Sequence, residues 1–269
     1  MTTELLPEAK AYAERVEALG QQSALDPVER CFYGSHSSQA LDIYAPAEKT
    51  DDLPVLLFFH GGAWINGGLQ WLRFMAPVIV DLPAVFVAAT YRLGPEFRWP
   101  SQYEDVRDAI RFCHEHVHSH GGNPARMVVG GHSSGGHLAS MAVLKKEIPP
   151  VKGCFPVSSA FNLQYGKVSD SSPEARVYKY LFSDPSQDRE ASPINFISGN
   201  SVPFHIVWGE QDFERIHNAV KPMIDALINE GSEVSYEQVP AASHFDTHLQ
   251  LGDAANPWYK RLRKVMKLC

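Results

Sequence analysis

Residues 127–136 read MVVGGHSSGG, a glycine-rich stretch with two adjacent serines. It contains the pattern G-x-S-x-G centred on Ser133, with Gly131 and Gly135 two residues away on either side. A serine on a sharp strand-to-helix turn needs such neighbours, because the backbone passes close to the turn. Ser134 does not fit the pattern, since His132 rather than a glycine lies two residues before it. The pattern predicts a strand over 127–130, a helix over 136–146, and Ser133 as an exposed nucleophile between them.

Apolar runs and helical patterns alternate on both sides of this stretch. Continuous apolar runs are typical of strands that are buried on both faces. Their alternation with helical stretches predicts βαβ units and a mostly parallel sheet flanked by helices, the α/β class. The segment from Cys31 to Tyr44 is predicted to form a strand or a hairpin that ends in 41–44. The other predicted strands are 54–59, 84–89, 127–130, 151–157, 204–208 and 234–239. The predicted helices are 7–19, 103–118, 136–146, 214–230 and a C-terminal helix around 260–267.

A second glycine-containing motif, His60-Gly61-Gly62-Ala63-Trp64, directly follows the first long apolar run. Glycines let backbone N–H groups approach a ligand closely. A loop after an early strand commonly supplies one donor to a developing oxyanion, and the residue after the nucleophile supplies another. We therefore predict an oxyanion hole formed by the backbone of Gly61, Gly62 and Ser134.

An acid and a histidine follow the serine in the chain order that such a catalytic triad requires. Asp212 comes just past a predicted strand, where an acid lies at the carboxyl edge of the sheet, and Glu210 is the alternative acid. His244 stands in a loop after the last predicted strand, and His248 is the alternative base one helical turn later. The predicted triad is Ser133, Asp212 and His244, in which His244 takes the serine proton and Asp212 orients the imidazole.

The segment from Phe161 to Ile197 interrupts the alternation, since it is polar and contains several prolines and scattered aromatic residues. Long irregular stretches are uncommon in compact domains unless they serve a function. We expect this segment to form a cap on a single α/β domain that comprises residues 1–269. Trp64 is the predicted substrate-binding residue of an apolar pocket beneath the cap. The other aromatic candidates for the pocket are Trp71, Phe161, Tyr165, Tyr178 and Phe182.

The composition limits the classes of partner. The formal net charge is -7, so the chain lacks the concentrated positive charge that binds nucleic acids and anionic lipids. We predict no nucleic-acid partner and no membrane partner, and the absence of a signal peptide predicts a cytoplasmic protein. Four scattered cysteines predict reduced thiols rather than a disulfide framework. A homodimer stays an open alternative.

A histidine tract offers an alternative to a serine mechanism. His114 and His118, like His116 and His120, have the i,i+4 spacing by which a helix can bind a metal ion. No set of carboxylates or cysteines accompanies them beyond Glu115, so a solvated helix end is the preferred interpretation. We therefore predict no metal site, and a metal-dependent hydrolase built on this tract is the rival hypothesis.

Several segments resemble known families. Tyr91-Arg92-Leu93-Gly94-Pro95-Glu96 and Gly121-Gly122-Asn123-Pro124-Ala125-Arg126 are similar to segments of the hormone-sensitive-lipase-like esterases. The His60–Trp64 loop, Asp212 and His244-Phe245-Asp246 resemble the pattern of the arylformamidases (kynurenine formamidases). There are two departures. Ala63 stands where the esterases usually have a third glycine, and Ile65-Asn66-Gly67-Gly68 follows Trp64 where the arylformamidases continue differently.

The resemblance implies an α/β-hydrolase fold, the triad of Ser133, Asp212 and His244, and no cofactor. It also implies that the N-terminal helix within residues 1–30 and the insertion at 161–197 cap the site. The functional hypothesis is hydrolysis of a small carboxylic ester or an aryl formamide through an acyl-enzyme on Ser133. The alternative is a catalytically silent protein of this fold that binds a small ligand, which a fluorophosphonate would leave unlabelled.

Overall fold

The computed structural model describes residues 7–48, 50–170 and 172–268, and eight strands form one sheet within these ranges. The strands are β1 Glu29–Phe32, β2 Ala40–Tyr44, β3 Leu53–Phe59, β4 Val85–Ala89, β5 Gly122–His132, β6 Cys154–Val157, β7 Phe204–Gln211 and β8 Val234–Ser243. The α-helices are α1 Pro7–Gln22, α2 Ala76–Val80, α3 Ser101–His116, α4 Ser134–Lys145, α5 Pro173–Tyr180, α6 Glu214–Asn229, α7 Asp246–Leu249 and α8 Pro257–Met266.

The strand order across the sheet is β1-β2-β4-β3-β5-β6-β7-β8. β2 is antiparallel to β1 and β4, whereas all neighbouring pairs from β4 to β8 are parallel. This mostly parallel sheet with flanking helices confirms the predicted α/β class. The carboxyl ends of its parallel strands meet at one edge, so the segments that follow β3, β5, β7 and β8 come together there.

The central strands are buried on both faces, as their continuous apolar sequences predict. Alternate residues of β3 point to opposite faces of the sheet, so Leu57 belongs to one buried cluster and Leu56 to the other. Full burial of a leucine side chain stabilises a protein by about 1.5–3 kcal/mol. Two packed cores therefore hold the strand ends, and the segments that follow them, in fixed positions.

Three strands, β5, β7 and β8, extend further than predicted and end beside candidate site residues, and β7 ends at Gln211, directly before Asp212. β5 continues through Gly131 and His132, because both residues pair with β6. β8 continues to Ser243, and α4 begins at Ser134 rather than two residues later. The turn between β5 and α4 therefore consists of Ser133 alone.

The insertion at 161–197 is more regular than its composition indicates. It contains α5, which begins after Ser172, whose Oγ accepts a hydrogen bond from the Ala175 N–H at 3.1 Å. Two short 3₁₀ turns follow, at Pro185–Asp188 and Pro193–Phe196. Across the described ranges, the helices lack the combination of length and apolar character that a membrane span requires.

Candidate active site

Ser133 occupies the turn between β5 and α4 with a backbone φ of 52° and ψ of −118°. Non-glycine residues rarely adopt a positive φ, and such a conformation costs about 1–3 kcal/mol. The turn leaves no room for side chains on its neighbours. A Cβ at Gly131 would lie 2.4 Å from the carbonyl carbon of Gly135, and a Cβ at Gly135 would lie 2.2 Å from the oxygen of Phe59. The spacing of glycines around Ser133 is thus a steric requirement.

The two adjacent serines have different surroundings. Ser133 is partly exposed and lines a cavity, whereas Ser134 is 1% exposed. The Ser134 hydroxyl lies 3.1 Å from the hydroxyl of Tyr91, beneath the turn. The accessible hydroxyl is therefore that of Ser133, as the glycine spacing predicts.

A line of hydrogen bonds runs from Ser133 into the protein. His244 Nε2 lies 2.9 Å from Ser133 Oγ, and His244 Nδ1 lies 2.7 Å from Asp212 Oδ1. Asp212 directly follows β7 and His244 directly follows β8, and these two strands pair in parallel. The structure thus brings the three predicted residues together, with a base beside a hydroxyl and a carboxylate on the far side of that base.

The carboxylate of Asp212 is enclosed, with a side-chain exposure of 0%. Burial alone would raise its pKa. The hydrogen bond and charge of His244, together with bonds from Ser158 and the Phe213 N–H, outweigh burial and hold the pKa of Asp212 below its usual value. An ionised Asp212 keeps a proton on Nδ1 of His244, which leaves Nε2 able to accept the proton of Ser133.

The loop after β3 approaches this serine closely. A Cβ at Gly61 would lie 3.1 Å from the Cβ of Ser133, and a Cβ at Gly62 would lie 2.1 Å from the Asn66 carbonyl oxygen. Gly62 also has a φ of 121°, a conformation that L side chains rarely adopt. Both glycines of the predicted motif are therefore needed for the loop to pass here.

The candidate oxyanion donors surround the same point. As the first residue of α4, Ser134 carries a backbone N–H that has no partner within the helix. Gly62 and Ser134 line the cavity beside Ser133, and Gly61 is adjacent to Ser133. A helix N-terminus next to backbone N–H groups of a glycine-containing loop is an arrangement that can stabilise a developing negative charge.

Buried polar groups fix this loop from beneath. The Tyr91 hydroxyl donates to the carbonyl of His60 at 3.0 Å. His60 Nδ1 lies 2.6 Å from the Gly61 oxygen, and His60 Nε2 lies 2.8 Å from Thr90 Oγ1. Because burial lowers the pKa of His60 to about 4, this histidine is neutral and donates from Nδ1 to the carbonyl. It anchors the loop and does not contact Ser133.

Arg92 and Asp105 hold Tyr91 in place. The Arg92 guanidinium contacts the fully buried carboxylate of Asp105 at 2.7 Å, and the Arg92 backbone N–H donates to the same carboxylate at 2.8 Å. Sequence reasoning gave these residues no role. The resemblance of the segment from Tyr91 to Glu96 to esterases was the one signal for them, because Tyr91 and Arg92 belong to that segment and Tyr91 bonds the loop after β3.

Helices from distant parts of the chain line the cavity above Ser133. α1 contributes Tyr12, and α5 contributes Val177. The other lining residues are Glu8, Ala9, Gly62, Ala63, Trp64, Ile65, Asn66, Trp71, His132, Ser134, Ala160, Pro173, Arg176, Phe213, Arg215, Ile216, His244 and Phe245. The wall is mostly apolar, with a few charged groups at its edge.

Of the six aromatic candidates for this cavity, Trp64 and Trp71 line it. Phe161 and Phe182 are core residues with exposures of 0% and 2%, so their prediction as pocket residues was wrong. Their apolar rings fasten the insertion to the domain. Tyr165 lines a separate surface cleft, and its backbone N–H donates to the Tyr178 hydroxyl at 3.1 Å.

Trp64 is held by a hydrogen-bonded histidine. The indole Nε1–H donates to His137 Nδ1 at 3.2 Å, and His137 Nε2 therefore carries the proton that it donates to the Ala191 carbonyl at 2.7 Å. Burial lowers the pKa of His137 to about 4, which is consistent with this neutral form. The loop after β3, α4 and the insertion are thus joined at Trp64.

Phe213 separates the cation of Arg215 from the ring of His244. The ring centroid of Phe213 is 4.4 Å from that of His244, and the guanidinium carbon of Arg215 is 4.3 Å from the Phe213 centroid. Arg215 also lies 3.5 Å from the carboxylate of Glu174 in α5. The α5–α6 side of the cavity therefore carries an ion pair of Arg215 and Glu174.

The alternative acid and base occupy other environments. Glu210 is exposed and accepts a hydrogen bond from the Ala241 N–H at 2.7 Å. His248 is fully buried, and its Nδ1 lies 2.8 Å from the Tyr12 hydroxyl. The hydrogen bond to Ser133 is thus made by His244 and not by His248, and the hydrogen bond to His244 is made by Asp212 and not by Glu210.

The histidine tract has other partners. His116 Nδ1 contacts the Phe112 carbonyl at 2.8 Å, and His120 Nε2 lies 2.9 Å from the carboxylate of Glu29. Within the described part of the chain, no three or more His, Cys, Asp and Glu side chains form a group that could hold a metal ion.

The fold and the geometry around Ser133 define an α/β-hydrolase. The BD-FAE family model matches residues 41–219, which is more than half of the chain, and the protein belongs to that family. The matched range includes Ser133 and Asp212, whereas His244 lies beyond it.

Individual relatives support the predicted kinship with esterases and formamidases. Esterase LipC of Mycobacterium tuberculosis (strain ATCC 25618 / H37Rv) is 30% identical over 80% of this chain, which spans only 59% of LipC. Kynurenine formamidase of Danio rerio is 27% identical over 87% of this chain and 80% of its own length. The structure of an esterase from Pyrobaculum calidifontis superimposes with a TM-score of 0.76 over 96% of this chain and 92% of its own, at 20% identity, which confirms the fold.

Proposed function

We propose that this protein is a serine hydrolase that cleaves a small carboxylic ester or an aryl formamide. The observation that carries the proposal is the unbroken line from Ser133 Oγ to His244 at 2.9 Å and from His244 to Asp212 at 2.7 Å, which ends at a cavity. The kinship with named esterases and a formamidase supports the same reaction class.

The reaction proceeds through an acyl-enzyme. Ser133 Oγ attacks the substrate carbonyl while His244 Nε2 accepts its proton, and Asp212 stabilises the resulting imidazolium. Backbone N–H groups of Ser134 and of Gly61 or Gly62 stabilise the tetrahedral oxyanion. The imidazolium then protonates the leaving alcohol or amine. Water, deprotonated by His244, attacks the acyl group in turn and frees Ser133.

The cavity wall favours an aromatic or aliphatic substrate with a small acyl group. Trp64 and Trp71 supply aromatic surface, and α1 and the insertion at 161–197 form the proposed cap above them. Arg215 lines the cavity and stacks on Phe213, the neighbour of His244, so its guanidinium suits a substrate that carries a carboxylate next to its apolar part. An aryl formamide whose ring carries an amino-acid substituent has both an aromatic part and a carboxylate, whereas a simple alkyl ester lacks the carboxylate.

The test compares kcat/KM for N-formylkynurenine and for p-nitrophenyl acetate on one preparation, with Ser133→Ala as the control. Both activities depend on the same serine, so the variant should lose nearly all turnover of either substrate, by about 10⁶-fold. A strong preference for the formamide would identify an arylformamidase. Good ester turnover with negligible deformylation would identify a carboxylesterase.

Covalent labelling separates either enzyme from a silent ligand-binding protein. A fluorophosphonate should modify Ser133 in the wild type and leave Ser133→Ala unmodified. Failure of labelling together with failure of both reactions would overturn the proposed function. Activity that persists in a strong chelator would exclude the rival metal-dependent mechanism.

A further inference from the structure

A buried polar cluster lies directly behind the triad histidine. It comprises Tyr12 of α1, His132 of β5 and His248 of α7, with exposures of 5%, 1% and 0%. The His132 and His248 rings are stacked at 4.8 Å with an angle of 9° between their planes. The proposed reaction uses none of these groups, yet three buried polar rings beside a reactive centre require satisfied hydrogen bonds.

The proton on His132 can be assigned from its partner. His132 Nε2 lies 2.9 Å from the backbone oxygen of His244, which can only accept a hydrogen bond. Burial keeps the pKa of His132 well below its usual value, so the ring is neutral and carries one proton. That proton must be on Nε2, which leaves Nδ1 as an acceptor.

Tyr12 can then be oriented by counting protons. Its hydroxyl lies 2.8 Å from His248 Nδ1 and 3.4 Å from His132 Nδ1. If Tyr12 donates to His132, it accepts from His248 Nδ1–H, and the buried His248 Nε2 is a lone acceptor without a partner. If Tyr12 donates to His248, His132 Nδ1 lacks a donor and His248 Nε2–H lacks an acceptor. The first arrangement leaves one unmet atom and the second leaves two, so the first is favoured.

We propose that His132 and Tyr12 are positioning residues for His244, linked in one directed chain: His248 Nδ1–H to Tyr12, Tyr12 O–H to His132, and His132 Nε2–H to the His244 carbonyl. The inference rests on the proposed function, since it assigns the cluster to the base of that reaction. Thr247 Oγ1 donates to the same carbonyl at 2.9 Å, so two donors clamp the backbone from which the imidazole projects. Through Tyr12, helix α1 is part of this support.

The first test measures the tautomers without relying on turnover. Long-range ¹H–¹⁵N correlation spectra of the full chain with ¹⁵N-labelled histidine, assigned with the His132→Gln and His248→Asn variants, should show His132 protonated on Nε2 and His248 protonated on Nδ1. The Nδ1–H form of His132 would overturn the proposal. This measurement stands even if the protein turns over neither proposed substrate, so it separates failure of the chain from failure of the proposed function.

The second test uses matched substitutions. His132→Gln keeps an N–H near the Nε2 position, whereas His132→Asn keeps only a group near Nδ1. We expect His132→Asn to lower kcat by about 10-fold or more with KM within about 2-fold, because a small misplacement of the base slows the chemical step and not binding. His132→Gln should recover most of that loss. The rate of Ser133 labelling by a fluorophosphonate should follow the same order.

Tyr12→Phe isolates the hydroxyl. Its phenyl ring can still stack on Phe245, 4.8 Å away, and pack edge-on against Trp71 at 5.3 Å, so the cavity wall is kept. We expect kcat to fall by about 5-fold, the equivalent of one neutral hydrogen bond, with KM unchanged. Wild-type kcat in folded His132→Asn, or an equal loss in the Asn and Gln variants, would refute the positioning role.

Discussion

Asp212 and Glu210 are neighbouring acids with different contacts. The carboxylate of Asp212 is enclosed and lies 2.7 Å from His244 Nδ1, whereas Glu210 is exposed and bonds the Ala241 backbone. An acid can fix the tautomer of an imidazole only through a direct hydrogen bond. The two acids are therefore not interchangeable, although they are two residues apart in the sequence.

Asp212→Asn should lower kcat by about 10⁴-fold with little change in KM. An amide cannot hold the proton on Nδ1 of His244 as a carboxylate does, and the base is then left in the wrong tautomer, as in other serine hydrolases. Glu210→Gln is the matched control and should keep near-wild-type kcat. Equal losses in both variants, measured by steady-state kinetics, would count against this division of roles.

The juxtaposition of Ser133, Asp212 and His244 was predictable from sequence because their signals are short or ordered along the chain. The glycine spacing marks Ser133, and the order of strand ends marks Asp212 and His244. The role of Tyr12 was not predictable, since its bond to His132 spans 120 residues and no local pattern records it. The same holds for Asp105, whose burial against Arg92 follows from packing.

At the level of elements, the turn from β5 to α4 depends on backbone segments in direct contact. A Cβ at Gly135 would lie 2.2 Å from the Phe59 oxygen and 2.4 Å from the His60 oxygen. Because both are main-chain atoms of β3 and its loop, neither can move aside without disturbing the sheet. The turn at Ser133 and the loop that follows β3 therefore tolerate no side chain between them.

Gly135→Ala should lower the free energy of unfolding by more than about 3 kcal/mol, the range of severe steric substitutions. Gly166→Ala is the matched control. Its Cβ would meet no atom within 4 Å, so only its φ of 69° is strained, and a loss of about 1 kcal/mol is expected. Urea unfolding of both variants measures the difference. Similar losses would show that the contact with β3 is not the cause.

Helices α5 and α6 place Arg215 at the cavity. Arg215→Gln should raise KM for N-formylkynurenine by about 10-fold while KM for p-nitrophenyl acetate changes little, because only the first substrate carries a carboxylate that can pair with the guanidinium. Lys221→Gln removes the same charge from an exposed site on α6 and serves as the control. Equal changes for both substrates in Arg215→Gln would refute a carboxylate contact.

The helix α5 shows why element prediction failed in the insertion. It has eight residues, and polar turns flank it. Apolar residues therefore do not recur at helical spacing along the whole insertion. Its existence depends on the Ser172 cap and on the burial of Val177. The longer helices α3 and α6 were predictable because their apolar faces repeat over four turns.

For the molecule as a whole, buried histidines should make stability depend on pH. Burial lowers the pKa of His60, His137 and His205 to about 4 and that of His248 to about 3. The unfolded chain binds protons near pH 6.5, whereas the native state stays neutral until about pH 4. Stability is therefore full above pH 6.5 and falls as the pH decreases, by about 1.4 kcal/mol per pH unit for each histidine.

Urea unfolding between pH 7.5 and 5 should show this loss. His205→Phe removes one buried histidine, so the slope of unfolding free energy against pH should fall by the equivalent of about one proton. Phenylalanine is a suitable replacement because His205 packs against the ring of Phe155. A stability that is flat across this range would contradict the neutral state of the buried histidines.

The overall architecture was predictable to a large extent. Continuous apolar runs such as 54–59 and 84–89 mark strands that are buried on both faces, and these lie at the centre of the sheet. The short edge strand β1 is mostly exposed and has no such pattern, so its bounds could be predicted only as part of a possible hairpin that ends in β2. The sequence thus indicates a strand whose residues are apolar because they are buried. It does not delimit a strand that is held only by backbone hydrogen bonds to its neighbour.

The left-handed conformation of Ser133 means that thermal stability and the proposed reaction favour different residues at position 133. Glycine adopts a φ near 52° without the penalty that a side chain brings. A library of variants of this protein that is selected only for thermal stability would therefore enrich glycine at position 133. Such variants lack the Ser133 hydroxyl that the proposed reaction uses. A library screened for turnover would restore serine and accept a lower melting temperature, so an engineer who seeks a hardier catalyst must find the missing stability elsewhere in the chain.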